Sequence, residues 1–155
     1  MNRHVALITG GAKGIGRGIA LDLASRQWKI AFCYRASQAE AETTAQEITQ
    51  RGGQALAIRC DVSDPVAAKN MVTQVEQEWG RIDVLINGAG PYHRVNLFDE
   101  TVEGWKEMFD DNLHPIFYLA QAVAPGMKAR KSGRIISFSM ANADQMEAQP
   151  DVTAH

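Results

Sequence analysis

The sequence has few of the features typical of secreted or membrane proteins. Its 155 residues include two cysteines, Cys33 and Cys60, which fall in predicted strands without the paired spacing of a disulfide framework. We therefore expect both thiols to be reduced and structural. No apolar run approaches the length of a membrane span. Residues 1–4 lead directly into an apolar stretch, so we expect no signal peptide and a cytoplasmic location.

An excess of charge and clustered metal ligands are also missing. The chain has 16 Lys and Arg residues and 18 Asp and Glu residues, for a net charge of −2. This balance argues against a nucleic-acid or anionic-membrane partner. The four histidines form no H-x-x-x-H or Cys/His cluster, so no metal site is expected. Apolar residues make up 45% of the chain, enough for one domain with a substantial core.

A glycine-rich turn, Thr9-Gly10-x-x-x-Gly14-x-Gly16, follows a predicted strand over residues 4–8. A helix begins in this turn, and Ile15, Ile19 and Leu23 recur four apart on its predicted inner face, with Ala20 and Ala24 beside them. Free N–H groups at a helix N-terminus attract anions, and glycines let a pyrophosphate approach the backbone closely. The alternative is a turn that only connects strand to helix.

Strands and helices alternate along the chain, which predicts a doubly wound α/β fold with a parallel sheet. Right-handed crossovers give the strand order 3-2-1-4-5, and ligands bind beside the switch point between strands 1 and 4. The turn at residues 87–90 should therefore flank the same crevice as Gly10–Gly16. The later strands are predicted at 29–34, 54–60, 82–87 and 134–138.

Several helix boundaries are also predicted. Ser37-x-x-Glu40 is typical of a capping box, Asp64 with Pro65 begins the third helix, and Thr101 begins the fourth. Asn112-Leu113 is expected to start the long fifth helix, which runs to about residue 130 with four apolar residues facing inward: Ile116, Ala120, Val123 and Met127. Pro115 should distort this helix beside Asn112.

Five motifs in order resemble the short-chain dehydrogenase/reductase family, over essentially the whole chain. They are Thr9-Gly10-x-x-x-Gly14-x-Gly16, Asp61-Val62 after strand 3, Asn87-Gly88-Ala89-Gly90 after strand 4, Asn112-Leu113, and Gly133-Arg134-Ile135-Ile136 entering strand 5. Within that family the chain looks most like the 3-oxoacyl-(acyl-carrier-protein) reductases. The resemblance implies a Rossmann-type NAD(P)-binding domain over 1–155, as the N-terminal part of a longer single-domain chain.

The resemblance also implies site residues. The cofactor would lie against Gly10, Lys13, Gly14, Ile15, Gly16, Tyr34, Arg35, Asp61, Val62, Asn87, Gly88, Ala89 and Gly90. The family's catalytic residues are Asn, Ser, Tyr and Lys. Asn112 matches the Asn, whereas Met140 occupies the position of the Ser, leaving Ser139 as the nearest hydroxyl and Asn142 as an alternative polar group. The sequence contains no Tyr-x-x-x-Lys, so we expect these 155 residues to be part of a longer enzyme and inactive alone.

Charge at the end of strand 2 favours NADP(H) over NAD(H). An NAD-selective site places a carboxylate there for the ribose 2′-hydroxyl, whereas this chain has Tyr34-Arg35. Together with Lys13 in the glycine turn, Arg35 suits a 2′-phosphate. The alternative is that both cations are simply solvated.

The predicted activity is hydride transfer between NADP(H) and a carbonyl or alcohol substrate, which is a small molecule or an acyl-carrier-bound group such as a 3-oxoacyl thioester. The alternative is a non-catalytic dinucleotide-binding or regulatory module. Family resemblance implies a homodimer or homotetramer formed through the long helix and the helix after strand 5. On the long helix, Leu119, Ala122 and Ala124 would provide a second apolar surface.

Three other features have ordinary interpretations. Asp110 and Asp111 are expected to be solvated charges on different helix faces, because they are neighbours in sequence. The tryptophans, at positions 28, 79 and 105, are expected to pack rather than stack on a substrate. Tyr92 and His93 either line a substrate pocket or form a plain loop.

Overall fold

The protein forms five parallel strands and five helices in a computed structural model, which describes residues 3–92 and 94–139. The elements are β1 (Val5–Thr9), α1 (Gly14–Ser25), β2 (Lys29–Tyr34), α2 (Gln38–Gln50), β3 (Gln54–Arg59), α3 (Pro65–Trp79), β4 (Val84–Asn87), α4 (Val102–Asn112), α5 (His114–Ala129) and β5 (Arg134–Ser137). The strand order is β3-β2-β1-β4-β5 and every pairing is parallel, which confirms the predicted topology.

The central strands are apolar on both sides because helices cover both faces of the sheet. All five residues of β1 are buried, and consecutive residues alternate between two hydrophobic clusters: Val5 and Leu7 belong to one, Ala6 and Ile8 to the other. The first cluster contacts α3 and α5, and the second contacts α1 and α2. The switch point beside β1 is therefore held on both faces by packed side chains.

Helix α1 approaches the sheet mainly through small residues, and Leu21 is its one large buried side chain. Gly16, Ala20 and Ala24 are buried, whereas Ile15 is 71% exposed. A Cβ at Gly16 would lie 2.6 Å from the Gly10 carbonyl oxygen, so the helix approaches too closely for a larger side chain. The prediction that Ile15 faces the core was wrong for this reason. Ile19 is half-buried against the core.

The helix starts at Asp64 and Thr101 agree with prediction, but the one at Ser37 does not. Asp64 Oδ1 accepts hydrogen bonds from the N–H groups of Val66 and Ala67 at 2.8 and 3.3 Å. The Thr101 hydroxyl accepts one from the Gly104 N–H. Ser37 precedes α2 at φ −84° and ψ 63°, outside the extended conformation of a typical N-cap, and its side chain makes no capping bond. The predicted capping box with Glu40 is absent.

Helices α4 and α5 meet at a one-residue break at Leu113. Asn112 ends α4 rather than starting the long helix, which corrects the prediction. Pro115, in the first turn of α5, has no N–H for a helical bond to the residue 111 carbonyl, which explains the break. The buried residues of α5 are Pro115, Leu119, Val123 and Met127.

The buried face of α5 is rotated from the predicted one. Leu119 is fully buried in the core, so it is not part of a second apolar surface, and Ala122 packs partly against the same core. Ile116 and Ala120, both predicted to be inward, are half-buried. The large apolar side chains that α5 and the preceding break expose are instead Phe117 and Leu113.

The outermost strands are less covered than the centre. All four residues of β5 are exposed, as is Phe138 beside it. In the part of the chain that the structure describes, none of the helices combines the length and apolarity that crossing a membrane requires.

Candidate active site

Two adjoining clefts open at the carboxyl ends of the strands. One, of about 470 Å³, lies over the ends of β1, β2 and β3. The other, of about 760 Å³, lies between the end of β4 and helices α4 and α5. Residues 88–91 line both, so the clefts meet along the turn after β4. We refer to them as the dinucleotide cleft and the catalytic-side cleft.

The glycine turn provides an anion-binding surface in the dinucleotide cleft. Helix α1 begins at Gly14 without a side-chain cap and without an acidic residue in its first turn. The first N–H groups of a helix have no acceptor within it, and the helix dipole is positive there. Gly14 has a φ of +58°, and a Cβ added to it would meet nothing within 4 Å. The free N–H groups, the positive helix end and this open space fit the pyrophosphate of a dinucleotide.

Two buried threonines fix the glycine turn in place. The Thr9 hydroxyl accepts hydrogen bonds from the N–H groups of Gly88 and Ala89, both at 3.0 Å, and so joins the two glycine turns. The Thr44 hydroxyl donates a 3.0 Å bond to the Ala12 carbonyl. Sequence reasoning assigned neither role. The signal for Thr44 was a hydroxyl on the otherwise apolar inner face of α2.

The ends of β2 and β3 bring three predicted residues together at the other side of the dinucleotide cleft. Tyr34, Arg35 and Asp61 line it, and Arg35 Nη1 lies 3.8 Å from Asp61 Oδ2. Hydrogen bonds from Ser63, with a smaller contribution from Arg35, lower the pKa of the Asp61 carboxyl. The remaining lining residues are Gly10, Ala12, Lys13, Gly14, Ile15, Gly16, Cys33, Ala36, Ser37, Cys60, Val62, Gly88, Ala89, Gly90, Pro91 and Asp111.

Asp111 differs from its predicted state as a solvated charge. Its side chain is only 11% exposed and lies 3.4 Å from Arg35, whereas Asp110 is 59% exposed and pairs with His114 on the adjacent turn. Sequence adjacency correctly placed the two carboxylates on different faces. It could not show that one of those faces turns toward the end of β2.

Both cysteines are free and buried against the dinucleotide cleft. Burial raises the pKa of the Cys33 thiol to about 12 and that of Cys60 to about 11. Because the thiolate is the reactive form, both groups remain protonated and unreactive near neutral pH. Their predicted structural role agrees with this environment, although Cys60 follows β3 rather than ending it.

The catalytic-side cleft contains both predicted catalytic residues, Asn112 and Ser139. The Asn112 amide donates a 3.1 Å hydrogen bond to the Met108 carbonyl, one turn earlier in α4. Its Oδ1 occupies the space beside Gly90, where a Cβ would collide with it. The end of β4 thus restrains the position of Asn112.

Asn87 and Ser137 form a second polar pair, which sequence reasoning missed. Asn87 is 7% exposed, and its amide donates a 3.1 Å hydrogen bond to the Ser137 hydroxyl across the β4–β5 pair. Among the described residues, none donates to the buried Oδ1 of Asn87. This leaves an acceptor without a partner beneath the cleft, and a polar ligand or water could supply the missing donor.

The wall of the catalytic-side cleft is mostly apolar and includes one tryptophan. Trp105 lines it at 42% exposure and packs against Phe109, with the ring centroids 5.1 Å apart. Trp28 and Trp79 also pack, against His4 and the core respectively. The lining residues are Asn87, Gly88, Ala89, Gly90, Pro91, Tyr92, Trp105, Met108, Phe109, Asn112, Leu113, Ile116, Phe138 and Ser139.

Hydrogen bonding is the main chemistry that this second cleft offers. Asn112 and Ser139 can orient a carbonyl, but neither has a pKa suited to proton transfer. Tyr92 is the one titratable side chain among the described lining residues, and it lies 64% exposed at the rim. His93, Met140 and Asn142 lie outside the described residues.

Comparison with known proteins identifies the family. Residues 4–150 match the model of the family described as short chain dehydrogenase. The chain is 37% identical over 134 residues to the 3-oxoacyl-[acyl-carrier-protein] reductase FabG of Staphylococcus aureus, covering 86% of this chain and 54% of that protein. The chain thus spans about half the length of the curated relatives it matches.

Solved structures agree with this assignment. A short-chain dehydrogenase/reductase from Serratia marcescens superposes with a TM-score of 0.86 at 34% identity, over 95% of this chain and 58% of that one. An NADH-dependent reductase solved with NAD has a TM-score of 0.87 at 22% identity, over 97% of this chain and 64% of that one, which shows the shared fold. The strand order, the two glycine turns and these matches lead to one conclusion: the chain belongs to the short-chain dehydrogenase family.

Proposed function

We propose that the chain forms the cofactor-binding half of an NADP(H)-dependent oxidoreductase that interconverts a carbonyl and an alcohol. The observation that carries this proposal is the joining of the two clefts along residues 88–91. A dinucleotide extended from the glycine turn would place its reactive end toward Asn112 and Ser139. The chain spans about half the length of its curated relatives, so other parts of the enzyme's machinery are assigned to the region it does not cover.

The bound cofactor would supply a hydride, and the residues of this chain would bind and orient. The N–H groups at residues 14–16 would hold the pyrophosphate, and Asp61 and Val62 would contact the adenine. Asn112 and Ser139 would hold the substrate carbonyl by hydrogen bonds. Proton supply to the developing alkoxide would come from the Tyr-x-x-x-Lys motif that the family uses and these 155 residues lack.

The choice of NADP(H) rests on the charges at the end of β2. The residues that follow this strand and line the cleft are Arg35, Ala36 and Ser37, none of which is a carboxylate. The exposed Lys13 lines the cleft from the glycine turn. Ser37 also lines the cleft, and its hydroxyl makes no capping bond to α2. Two cations and a hydroxyl suit a 2′-phosphate.

Cofactor selection can be tested with a double variant, Lys13→Ala with Arg35→Ala. We expect NADPH affinity to fall by roughly 100-fold, since each charge-assisted bond contributes about 1.5–3 kcal/mol before screening, while NADH affinity changes little. Isothermal titration with both cofactors measures this. The matched control, Arg51→Ala with Lys69→Ala, removes the same charge from exposed positions outside the cleft. Equal losses for NADPH and NADH would contradict the assignment.

We further propose an acyl-carrier-bound or small-molecule carbonyl substrate, a cytoplasmic location and a homodimer or homotetramer. The named relatives that reduce 3-oxoacyl-carrier substrates support the substrate class. The exposed Leu113 and Phe117 provide apolar surface for self-association. Sedimentation of the intact protein tests the assembly, and a clean monomer at micromolar concentration would overturn it.

A further inference from the structure

We propose that Asp111 is a specificity-determining residue of the dinucleotide cleft, which weakens recognition of a cofactor 2′-phosphate by holding and neutralising Arg35. This inference rests on the proposed function, because it concerns how strongly the cleft selects NADP(H). Asp111 lies on α4, remote in sequence from the glycine turn and from the end of β2. It is therefore a contribution of the catalytic-side helix to cofactor choice.

The geometry places Asp111 directly on Arg35. Both carboxylate oxygens of Asp111 lie 3.4 Å from Arg35 Nη1. The Asp111 side chain is 11% exposed and that of Arg35 is 59% exposed, and both residues line the dinucleotide cleft. A carboxylate so well covered is poorly screened by water, so its field acts strongly on its neighbour.

The second carboxylate near Arg35, that of Asp61, interacts with the guanidinium more weakly than Asp111 does. Asp61 Oδ2 lies at 3.8 Å, and the Asp61 side chain is 45% exposed. Its other oxygen accepts two hydrogen bonds from Ser63, at 3.1 and 2.7 Å, which fix the carboxylate independently of Arg35. Asp111 is therefore the dominant partner of the guanidinium.

The charges that line the cleft cancel. The charged lining side chains among the described residues are Lys13, Arg35, Asp61 and Asp111, so their formal charges sum to zero. A phosphate monoester carries close to two negative charges at neutral pH. It must compete with Asp111 for Arg35 and also approach that carboxylate, and both effects lower affinity for the phosphorylated cofactor. A cofactor with a plain 2′-hydroxyl escapes both.

The local chain geometry explains why Asp111, and not Asp110, takes this position. Both lie in the last turn of α4, just before the break at Leu113. Asp110 faces solvent and pairs with His114 at 2.8 Å. Asp111, about 100° further round the helix, contacts Arg35 just after the end of β2. Asp110 therefore offers a matched control, with the same chemistry one residue away and outside the cleft.

The test is isothermal titration of NADPH and NADH into the wild-type protein and the isosteric variant Asp111→Asn. We expect the variant to bind NADPH roughly five- to tenfold more tightly, from removal of one unit charge several ångströms from the phosphate, and to bind NADH unchanged within about twofold. Asp110→Asn should leave both affinities at wild-type values. An unchanged NADPH affinity, or equal tightening of both cofactors, would overturn the proposal.

Two further variants separate this inference from the proposed cofactor choice. If Arg35→Ala weakens NADPH and NADH equally, the choice of NADP(H) is wrong. If it weakens NADPH selectively while Asp111→Asn changes nothing, only the role of Asp111 is wrong. When Asp111→Asn is added to Arg35→Ala, most of its expected increase in NADPH affinity should be lost. An increase that persists in the double variant would contradict action through Arg35. Asp111→Ser provides the same charge change if the Asn variant folds poorly, as checked by circular dichroism.

Discussion

The dinucleotide cleft and the catalytic-side cleft share one turn but are built differently. The binding surface of the dinucleotide cleft is formed mainly by backbone groups. They belong to the start of α1, the glycine turn and the turn after β4, and the Thr9 hydroxyl links the two turns. In the catalytic-side cleft, two polar side chains lie in a largely apolar wall next to the exposed strand β5. Under the proposed function, this chain would supply most of the binding surface for the cofactor, but only the hydrogen-bonding part of a proton-transfer site.

The difference follows from topology. The switch point between β1 and β4 needs only those strands and the turns after them, all of which are present. The catalytic side lies against β5, which has no neighbour on its outer edge among the described residues. The polar contacts and the burial of the catalytic-side cleft therefore depend on fewer elements. Variants in the two clefts should differ in their effects on stability and on NADPH affinity.

The largest expected change in stability comes from removing the Thr9 hydroxyl, which joins the two glycine turns. Thr9→Val leaves the N–H groups of Gly88 and Ala89 without their acceptor in a buried position, and we expect it to lower the free energy of unfolding by roughly 2–4 kcal/mol. Urea denaturation measures this. Thr9→Ser keeps the oxygen and should cost less. A Val variant as stable as the Ser variant would show that the turns are not joined in this way.

An intermediate effect should come from two glycines in the same helix. Gly14→Ala places a methyl group in the open space of the cleft at φ +58°, so we expect a stability loss of roughly 1 kcal/mol and an NADPH affinity at least tenfold lower. Gly18→Ala lies on the exposed side of α1 and should raise stability by roughly 0.5–1 kcal/mol without affecting binding. Similar cofactor affinities for the two variants would contradict the assignment of the pyrophosphate site.

The smallest effect should come from the catalytic side. Asn112→Ala removes one partly exposed hydrogen bond to the Met108 carbonyl, and we expect it to cost below about 1 kcal/mol of stability. NADPH affinity, followed by cofactor fluorescence, should not change, because Asn112 does not line the dinucleotide cleft. A large loss of NADPH binding in this variant would mean that the two clefts are not separable.

Sequence reasoning predicted the strand order and both glycine turns, because alternating elements and crossover handedness determine them. It failed where the outcome depended on how closely two elements approach. Ile15 was predicted to face inward, yet Gly16 decides which face of α1 meets the Gly10 carbonyl. Leu119 was predicted to face outward but is buried. The periodicity of apolar residues does not show how Pro115 sets which residues of α5 face the core.

The candidate site shows the same limit. Glycine spacing locates a phosphate surface because the requirement is for backbone geometry that a sequence reveals directly. The Arg35–Asp111 pair joins residues 76 positions apart on elements that do not follow one another, and the Asn87–Ser137 bond spans 50 positions. Neither contact has a local signature, so only the folded arrangement reveals them.

The most direct test of the central claim is a titration of NADPH into the purified 155-residue chain, followed by addition of a 3-oxoacyl thioester or simple ketone. The account predicts saturable binding of one NADPH per chain, with no oxidation of NADPH after the carbonyl compound is added. Binding would show that the dinucleotide cleft functions, and the absence of turnover would show that the proton donor lies elsewhere. Oxidation at an ordinary enzyme rate, or no binding by a chain that circular dichroism shows to be folded, would contradict it.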